Sequence, residues 1–303
     1  MARGYKWIAA EIERLDPEVD FERIWALSAT YWVDEFMMSF LYSVSFPNFM
    51  MPANGGRTVN RGGTGPLITT PDTRHVDTVH HFWTWFEHGP SSPHTQESVA
   101  AVNALHHGIS RRYPGDFGYN DDFVYTLCFL GAGYHRIREQ VGLPGFTAKQ
   151  KVAAHHHWRG MAGLFWTENG DVTGWPADFD AMLAFLAEWE SRHTEWTEDG
   201  AACTRAVIDQ FAARWFPRRL HFVGRAMLCS FYDEPIRRVH RVEAPPRPVV
   251  ALMRTGMRCY VTAKEKVLPD PRMSTPDRHR RKGRGSAAGV AGASGVGATR
   301  SGT

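Results

Sequence analysis

The chain has 303 residues, 43% of them hydrophobic, with 11 Trp and 18 Phe and a formal net charge of +3. This length and apolar content are enough to bury a large core, in one big domain or two closely joined ones. The positive charge belongs to the end of the chain, because seven Lys or Arg against one Asp follow from Arg272 onward. The remainder carries about −3, which argues against a basic nucleic-acid-binding domain, and no specific nucleic-acid partner is expected.

The sequence has four widely spaced cysteines: Cys128, Cys203, Cys229 and Cys259. None belongs to a CxxC motif, so a Cys-based zinc site or covalently attached c-type haem is not indicated, and reduced cytoplasmic thiols are expected. The N-terminal sequence does not match a signal peptide, since Glu11 and Glu13 interrupt its apolar patch. The most apolar window, 36–51, is too short and too interrupted by polar residues and Pro47 to span a bilayer. We therefore expect a soluble, cytoplasmic protein without a transmembrane segment.

Apolar residues recur at helical spacing between breaks at Asp, Pro and Gly, which predicts an all-α fold, a single large multi-helix domain without strands. The predicted helices cover residues 6–16, 19–46, 72–88, 94–112, 120–141, 147–166, 176–193, 201–215, 217–231, 233–242 and 249–264. Residues 47–71 are glycine-rich but lack both the GxGxxG and the P-loop motif, so they predict a connecting loop.

The apolar pattern ends near residue 266. We therefore expect a helical domain over residues 1–266 and a disordered tail over residues 267–303, which is basic and rich in Gly, Ala and Ser. The basic cluster of this tail is expected to be solvated, with at most weak contact to a membrane surface.

One helix in the centre of the chain has an unusual polar face. On the helix predicted over 72–88, Arg74, Thr78, His81 and Trp85 recur at spacings of three and four residues and so share one narrow face. This face is too polar for an ordinary core and too apolar for an ordinary surface. A hydrogen-bonded contact between helices is the commoner explanation, and the polar lining of a ligand pocket is the alternative.

The next helix carries a histidine on an apolar stripe. Val99, Val102, His106 and Ile109 line up on one side, and His107 points about 100° further round. An imidazole would thus enter an apolar layer opposite a helix that carries Arg, Thr and His, as in a site that holds haem iron. A core histidine bonded to a backbone carbonyl is the commoner explanation of such a stripe.

Four short motifs follow one another along the chain. They are Arg74-x-x-x-Thr78, Asn103-x-x-His106, Asn120-Asp121-Asp122-x-x-Tyr125-x-Leu127 and Asp233-Glu234-Pro235-x-Arg237-Arg238. In this order, over roughly residues 20–242, they resemble the MpaB / rubber-oxygenase (latex clearing protein-like) family.

The resemblance implies a helical fold that encloses non-covalent haem b and uses O₂ to cleave carbon–carbon double bonds in isoprenoid chains. His106 matches the axial ligand of the iron, with the adjacent His107 as the fallback. Arg74 and Thr78 match polar groups near the haem, and His81, one turn further on, is a candidate base. The expected substrates are O₂ and a small apolar or isoprenoid-like alkene.

Haem also requires cations for its propionates. Arg74, Arg111 and Arg112 are the candidates, although solvation is the commoner role of the last two. Two departures from the family pattern bear on the substrate. The segment 107–119 is longer than in many members, and Asp77 stands where rubber oxygenases often carry Lys.

Two other classes of function remain open from the residues alone. A non-haem di-iron enzyme would need two E-x-x-H motifs, and only Glu190-x-x-His193 is present, which we expect on a salt-bridged surface. A non-catalytic helical ligand-binding protein is the third class. The consecutive residues 155–157, all His, point in three directions and are expected to place one ring inward and two outward.

Overall fold

The computed structural model describes residues 4–281, and within them it confirms the predicted all-α fold. The helices are α1 Trp7–Arg14, α2 Phe21–Thr30, α3 Glu35–Phe49, α4 Ala53–Asn60, α5 Pro66–Thr69, α6 Pro71–His88, α7 Pro93–Ser110, α8 Asn120–Gln140, α9 Ala148–Ala162, α10 Phe179–Arg192, α11 Glu198–Trp215, α12 His221–Cys229, α13 Glu234–His240 and α14 Arg247–Thr262. Two two-residue strands, β1 Trp166–Thr167 and β2 Gly170–Asp171, pair antiparallel. A 3₁₀ turn covers Arg218–Leu220 and a π turn covers Ala263–Val267. In this part of the chain no helix is both long enough and apolar enough to traverse a bilayer.

Helix α3 lies in the centre of the core. It is apolar on all sides and almost entirely buried, as expected of a helix surrounded by others. The single helix predicted over 19–46 is wrong, because the chain breaks between α2 and α3. Asp34 is extended there, and its Oδ1 accepts a hydrogen bond from Met37 N at 2.9 Å, which caps the new helix.

A proline inside α3 explains how the later segment 232–240 is attached. Pro47 has no N–H, so the carbonyl of Ser43 lacks its helical donor. The Tyr232 hydroxyl donates to that carbonyl at 3.1 Å. His240 Nε2 lies 2.7 Å from the Pro47 carbonyl oxygen. The closing Asp-Glu-Pro motif therefore lies in a segment that satisfies the backbone of α3 on both sides of its proline.

The loop predicted over 47–71 is also wrong, since α3 extends into it and α4 and α5 lie within it. Its glycines permit close packing of helices as well as turns. A Cβ atom at Gly56 would lie 2.7 Å from the backbone nitrogen of Gly200 in α11. Glycine is therefore needed inside α4 because the two helix backbones approach each other closely.

The three consecutive histidines of α9 do not place one ring inward and two outward. His155 and His157 are both buried, and His156 is half-buried with Nε2 2.6 Å from a Glu18 carboxylate oxygen. Helices α2 and α10 both pack on α9 and cover it on two sides. When other helices pack on two sides of a helix, residues outside its main apolar stripe are buried as well.

For residues 268–281 the predicted disordered tail is wrong, and residues 282–303 lie outside the described part of the chain. Asp270 has an exposed fraction of only 6%, and its carboxylate accepts hydrogen bonds from Ile8 N at 2.9 Å and Trp32 Nε1 at 3.2 Å. Thr275 donates to the Val33 carbonyl at 2.8 Å. Polar groups, rather than a periodic apolar face, hold this segment on the domain.

Replacing Asp270 with Ala is expected to lower the free energy of unfolding by about 2–3 kcal/mol, because the first turn of α1 and the Trp32 indole lose a charged acceptor. Denaturant unfolding measures this change. Asp277→Ala is the control, since that carboxylate is half-exposed and pairs with Arg280, and its effect should stay below about 0.5 kcal/mol. Equal effects of the two substitutions would contradict a structural role for Asp270.

Candidate functional site

The polar face predicted on α6 is turned towards the protein. Thr78 and Trp85 are buried, and Arg74 and His81 are half-buried. The neighbouring Asp77 is exposed. The helical spacing therefore identified which side of α6 meets the rest of the molecule.

Helices α6 and α7 form a hairpin that is hydrogen-bonded near its turn. Trp85 Nε1 donates to Ser98 Oγ at 2.9 Å, and His81 Nδ1 lies 2.7 Å from the same oxygen. Burial, followed by the charges of His80 and Arg74, lowers the pKa of His81, so its ring is neutral near pH 7. These contacts join the end of α6 to the first half of α7.

The predicted stripe on α7 faces inward, but it is not covered uniformly. Val99 is buried, whereas Val102, His106 and Ile109 are half-buried. His107 is exposed and its ring centroid lies 5.5 Å from that of Trp166. Of the two adjacent histidines, His106 points into the protein and His107 points out of it.

The His106 imidazole lies in aromatic surroundings with an unused nitrogen. Its ring centroid is 4.8 Å from that of Phe117 and 6.1 Å from that of Phe123. Its Nδ1 is buried and has no hydrogen-bond partner within residues 4–281. Burial, assisted by the charge of Arg74, lowers the pKa of His106 to about 4. The ring is therefore neutral at pH 7, which is the form that binds metals.

The Arg74 guanidinium lies near this imidazole and belongs to a group of three arginines, one of which sequence reasoning missed. Burial together with the charges of Arg74 and Arg112 lowers the pKa of Arg61. Arg74 also lies 5.4 Å from the Phe46 ring centroid. None of the three arginines has an ion-pair partner in the described part of the chain. We call Arg61, Arg74 and Arg112 the arginine cluster; Arg61 and Arg74 are half-buried, whereas Arg112 is exposed, as is the other candidate, Arg111.

The hydroxyl oxygen of Thr78, on the same face of α6 as Arg74, can still accept hydrogen bonds. Its hydroxyl donates to the Arg74 carbonyl one turn earlier, at 2.8 Å. The hydroxyl proton is thereby used within the helix, while the oxygen lone pairs stay free to accept. The structure thus brings the half-buried Arg74 and the buried Thr78 to one face of α6, with Arg74 close enough to His106 to influence its pKa.

Three cavities lie elsewhere in the fold. Two small ones, of about 20 and 10 Å³, lie between α3 and α8 beside Phe129 and Gly133. A third, of about 480 Å³, lies between α9 and the start of α10 and is lined by Lys151 and His155. Arg74, Thr78, His81 and His106 line none of these three, so the candidate site is distinct from them.

The Glu190-x-x-His193 motif was expected on the surface, and that prediction is wrong. Glu190 is buried, and its carboxylate oxygens accept from Arg136 at 2.6 and 3.1 Å. The Tyr125 hydroxyl donates to it at 2.9 Å. The His193 ring instead lies against that of Trp189 at an interplanar angle of 30°, and its Nδ1 is 2.8 Å from the Trp189 carbonyl oxygen. The carboxylate joins α8 to α10 rather than facing solvent.

No group of three or more His, Cys, Asp or Glu side chains within residues 4–281 is arranged to hold a metal ion. No protein-family model matches the chain, and no curated protein matches it significantly. The resemblance to the MpaB / rubber-oxygenase family therefore rests on the four sequence motifs alone.

Proposed function

We propose that the chain holds haem b through His106 and uses it for the O₂-dependent oxidation of a carbon–carbon double bond in an unsaturated, apolar substrate such as an isoprenoid. The observation that carries the proposal is the buried Nδ1 of His106, which has no hydrogen-bond partner in the described residues. Bound haem iron would supply the activation of O₂.

An unpaired buried nitrogen leaves the His106 ring free to bind a ligand. A core histidine normally bonds to a carbonyl, because leaving a buried polar atom unpaired costs about 1–3 kcal/mol. His155 shows the ordinary arrangement, with Nε2 2.8 Å from the Pro176 carbonyl oxygen. Within the described residues His106 has no such partner, and neither have His75 and His157. What distinguishes His106 is its place beside Phe117, Phe123 and Arg74, and coordination to iron would give its ring a partner. The neighbouring Phe117 and Phe123 rings would supply apolar contacts to a bound porphyrin.

The arginine cluster fits the anionic edge of the same cofactor. Three guanidinium groups without carboxylate partners repel one another, so an anion placed among them is stabilised. The two propionates of haem b are anions of this kind. We assign Arg61 and Arg112 to them together with Arg74, the residue common to the cluster and the polar face.

The His81 ring is better suited to donate a hydrogen bond than to act as a base. Ser98 Oγ accepts from Trp85 Nε1, and we assign the serine proton to the bond with His81 Nδ1. In that arrangement the neutral ring carries its own proton on Nε2. We therefore propose His81 as a hydrogen-bond donor that orients the bound oxygen or substrate, in place of the base expected from its position in the sequence.

The absorbance spectrum of the purified protein with added haem tests the proposal. A Soret band near about 400–410 nm, titrating to one equivalent, is expected for a ligated haem. A colourless protein containing stoichiometric iron would instead support a non-haem metal oxidoreductase. A protein that binds neither haem nor iron would support a non-catalytic ligand-binding protein, and either result would overturn the haem proposal.

Conservative changes on α6 should separate chemistry from cofactor binding. Arg74→Gln and Thr78→Val are each expected to retain haem but to lower oxygen consumption with an unsaturated substrate by about a hundredfold, as for a lost polar group at a reacting centre. Asp77→Ala is the matched control, because Asp77 is exposed on the same turn, and it should keep full turnover. Full turnover in both test variants would remove these side chains from the proposed site.

We also propose that the protein works in a reducing compartment such as the cytoplasm. Its cysteines are free, with Cys128 and Cys203 buried in the core. Burial raises the pKa of both thiols, which keeps them protonated and unreactive. Unpaired thiols are the usual state of cytoplasmic proteins.

A further inference from the structure

Residues 214–222, which we call the α11–α12 corner, present two large apolar side chains among arginines. Leu220 and Phe222 have exposed fractions of 43% and 66%. Arg218 and Arg219, in the 3₁₀ turn directly before them, are exposed as well. Exposed apolar side chains next to basic ones combine the two chemistries that an anionic, partly apolar surface would bind.

The corner carries excess positive charge. No Asp or Glu occurs between residues 210 and 232. Arg225 uses the nearest preceding carboxylate, with Nε 2.9 Å from Asp209 Oδ1. Arg214, Arg218 and Arg219 have no ion-pair partner in the part of the chain that the structure describes. Their charges are therefore available to an anionic partner.

We propose that the α11–α12 corner docks on the surface of an anionic phospholipid bilayer. Leu220 and Phe222 would enter the boundary between headgroups and acyl chains, while Arg218 and Arg219 contact lipid phosphates. Each arginine near an anionic membrane increases the binding constant about fivefold. The two apolar side chains add the free energy gained when their surface leaves water. A nucleic acid would use the arginines but gain little from an exposed Leu and Phe.

Docking there would also orient the candidate site. Gln210, one turn before the corner, donates to Asp72 Oδ1 in the first turn of α6 at 3.0 Å. The Arg214 charge contributes to the lowered pKa of His75, also on α6. The corner thus lies beside the half of α6 that carries Arg74, so an apolar substrate could arrive from the bilayer. This orientation rests on the proposed function, whereas docking itself does not.

Vesicle co-sedimentation of the full chain without added haem tests the docking. The wild type is expected to bind phosphatidylcholine vesicles that contain phosphatidylserine, and to bind pure phosphatidylcholine much more weakly. Phe222→Ser combined with Leu220→Ser should weaken binding by about tenfold or more. Arg218→Gln combined with Arg219→Gln should weaken it by about 25-fold, and added salt should do the same.

Two controls make the test specific to the corner. Leu252→Ser removes a leucine of α14 that is more exposed than Leu220, with an exposed fraction of 66%, and should bind as the wild type does. Lys282→Gln with Arg284→Gln reduces the charge of the basic tail and should have the smaller effect. Absent vesicle binding, unchanged binding in the corner variants, or a loss confined to the tail variant would each overturn the proposal. Binding to duplex DNA that requires the arginines but not Phe222, without vesicle binding, would reassign the surface to nucleic acid.

Discussion

His106→Ala is expected to abolish haem binding and the Soret band while the apoprotein stays folded. The side chain supplies the only nitrogen that we assign to the iron, and a non-covalent haem without its axial ligand loses most of its affinity. The loss of folding stability should be small, at most about 2 kcal/mol, because Nδ1 makes no hydrogen bond to lose. Circular dichroism and haem titration measure the two effects separately.

The adjacent histidine provides a matched control. His107 is exposed, so His107→Ala should bind haem as the wild type does. A His106→Gly variant should regain the Soret band when free imidazole is added, since the vacated space can admit a soluble ligand. Haem binding in His106→Ala together with its loss in His107→Ala would move the ligand by one residue and contradict the orientation of α7.

Glu190→Ala is expected to cause the largest loss of stability, about 3 kcal/mol or more. The change removes both carboxylate oxygens that Arg136 contacts at 2.6 and 3.1 Å and the acceptor of the Tyr125 hydroxyl. Arg136 would keep Asp233, 3.1 Å away, but that carboxylate is more exposed. The mostly buried Arg136 guanidinium then keeps only one of its two carboxylate partners. Leaving a buried charge partly unpaired costs far more than losing a surface ion pair.

Thermal or denaturant unfolding measures this effect, and two variants calibrate it. Glu188→Ala, on the exposed side of the same helix, should change stability by less than about 0.5 kcal/mol. The double change Arg136→Met with Glu190→Met should recover much of the loss, because an apolar pair of similar volume often replaces a buried ion pair at little cost. A mild effect of Glu190→Ala would mean that the carboxylate is solvated and unpaired in solution.

Those parts of the site that depend on position along one helix were predictable. Arg74 and Thr78 share the inward face of α6, and His106 points inward while His107 points outward, as the spacing of residues indicates. Helical periodicity relates residues three or four apart, so a short stretch of chain contains all the information that is needed.

Other members of the site come from distant parts of the chain. Arg61 lies at the end of α4 in a stretch predicted to be loop, yet it lies close to Arg74 and Arg112. The charged neighbours of Glu190 in the sequence suggested a surface, whereas Arg136 and Tyr125 on α8 bury it. The residues next to a side chain in the sequence do not indicate which side chain of another helix it will contact.

The all-α class, the inward faces of α6 and α7 and the orientation of the two adjacent histidines follow from residues close in sequence, because a helix forms and buries one side by local spacing. The glycine contact between α4 and α11, the anchoring of residues 268–281 through Asp270, and the arginine cluster depend on packing. Each joins segments that are far apart along the chain, and its energy exists only once those segments are brought into contact. The sequence alone does not show which polar side chains will pair, because many donors and acceptors are chemically equivalent. Their pairing is decided by distance and burial in the folded protein.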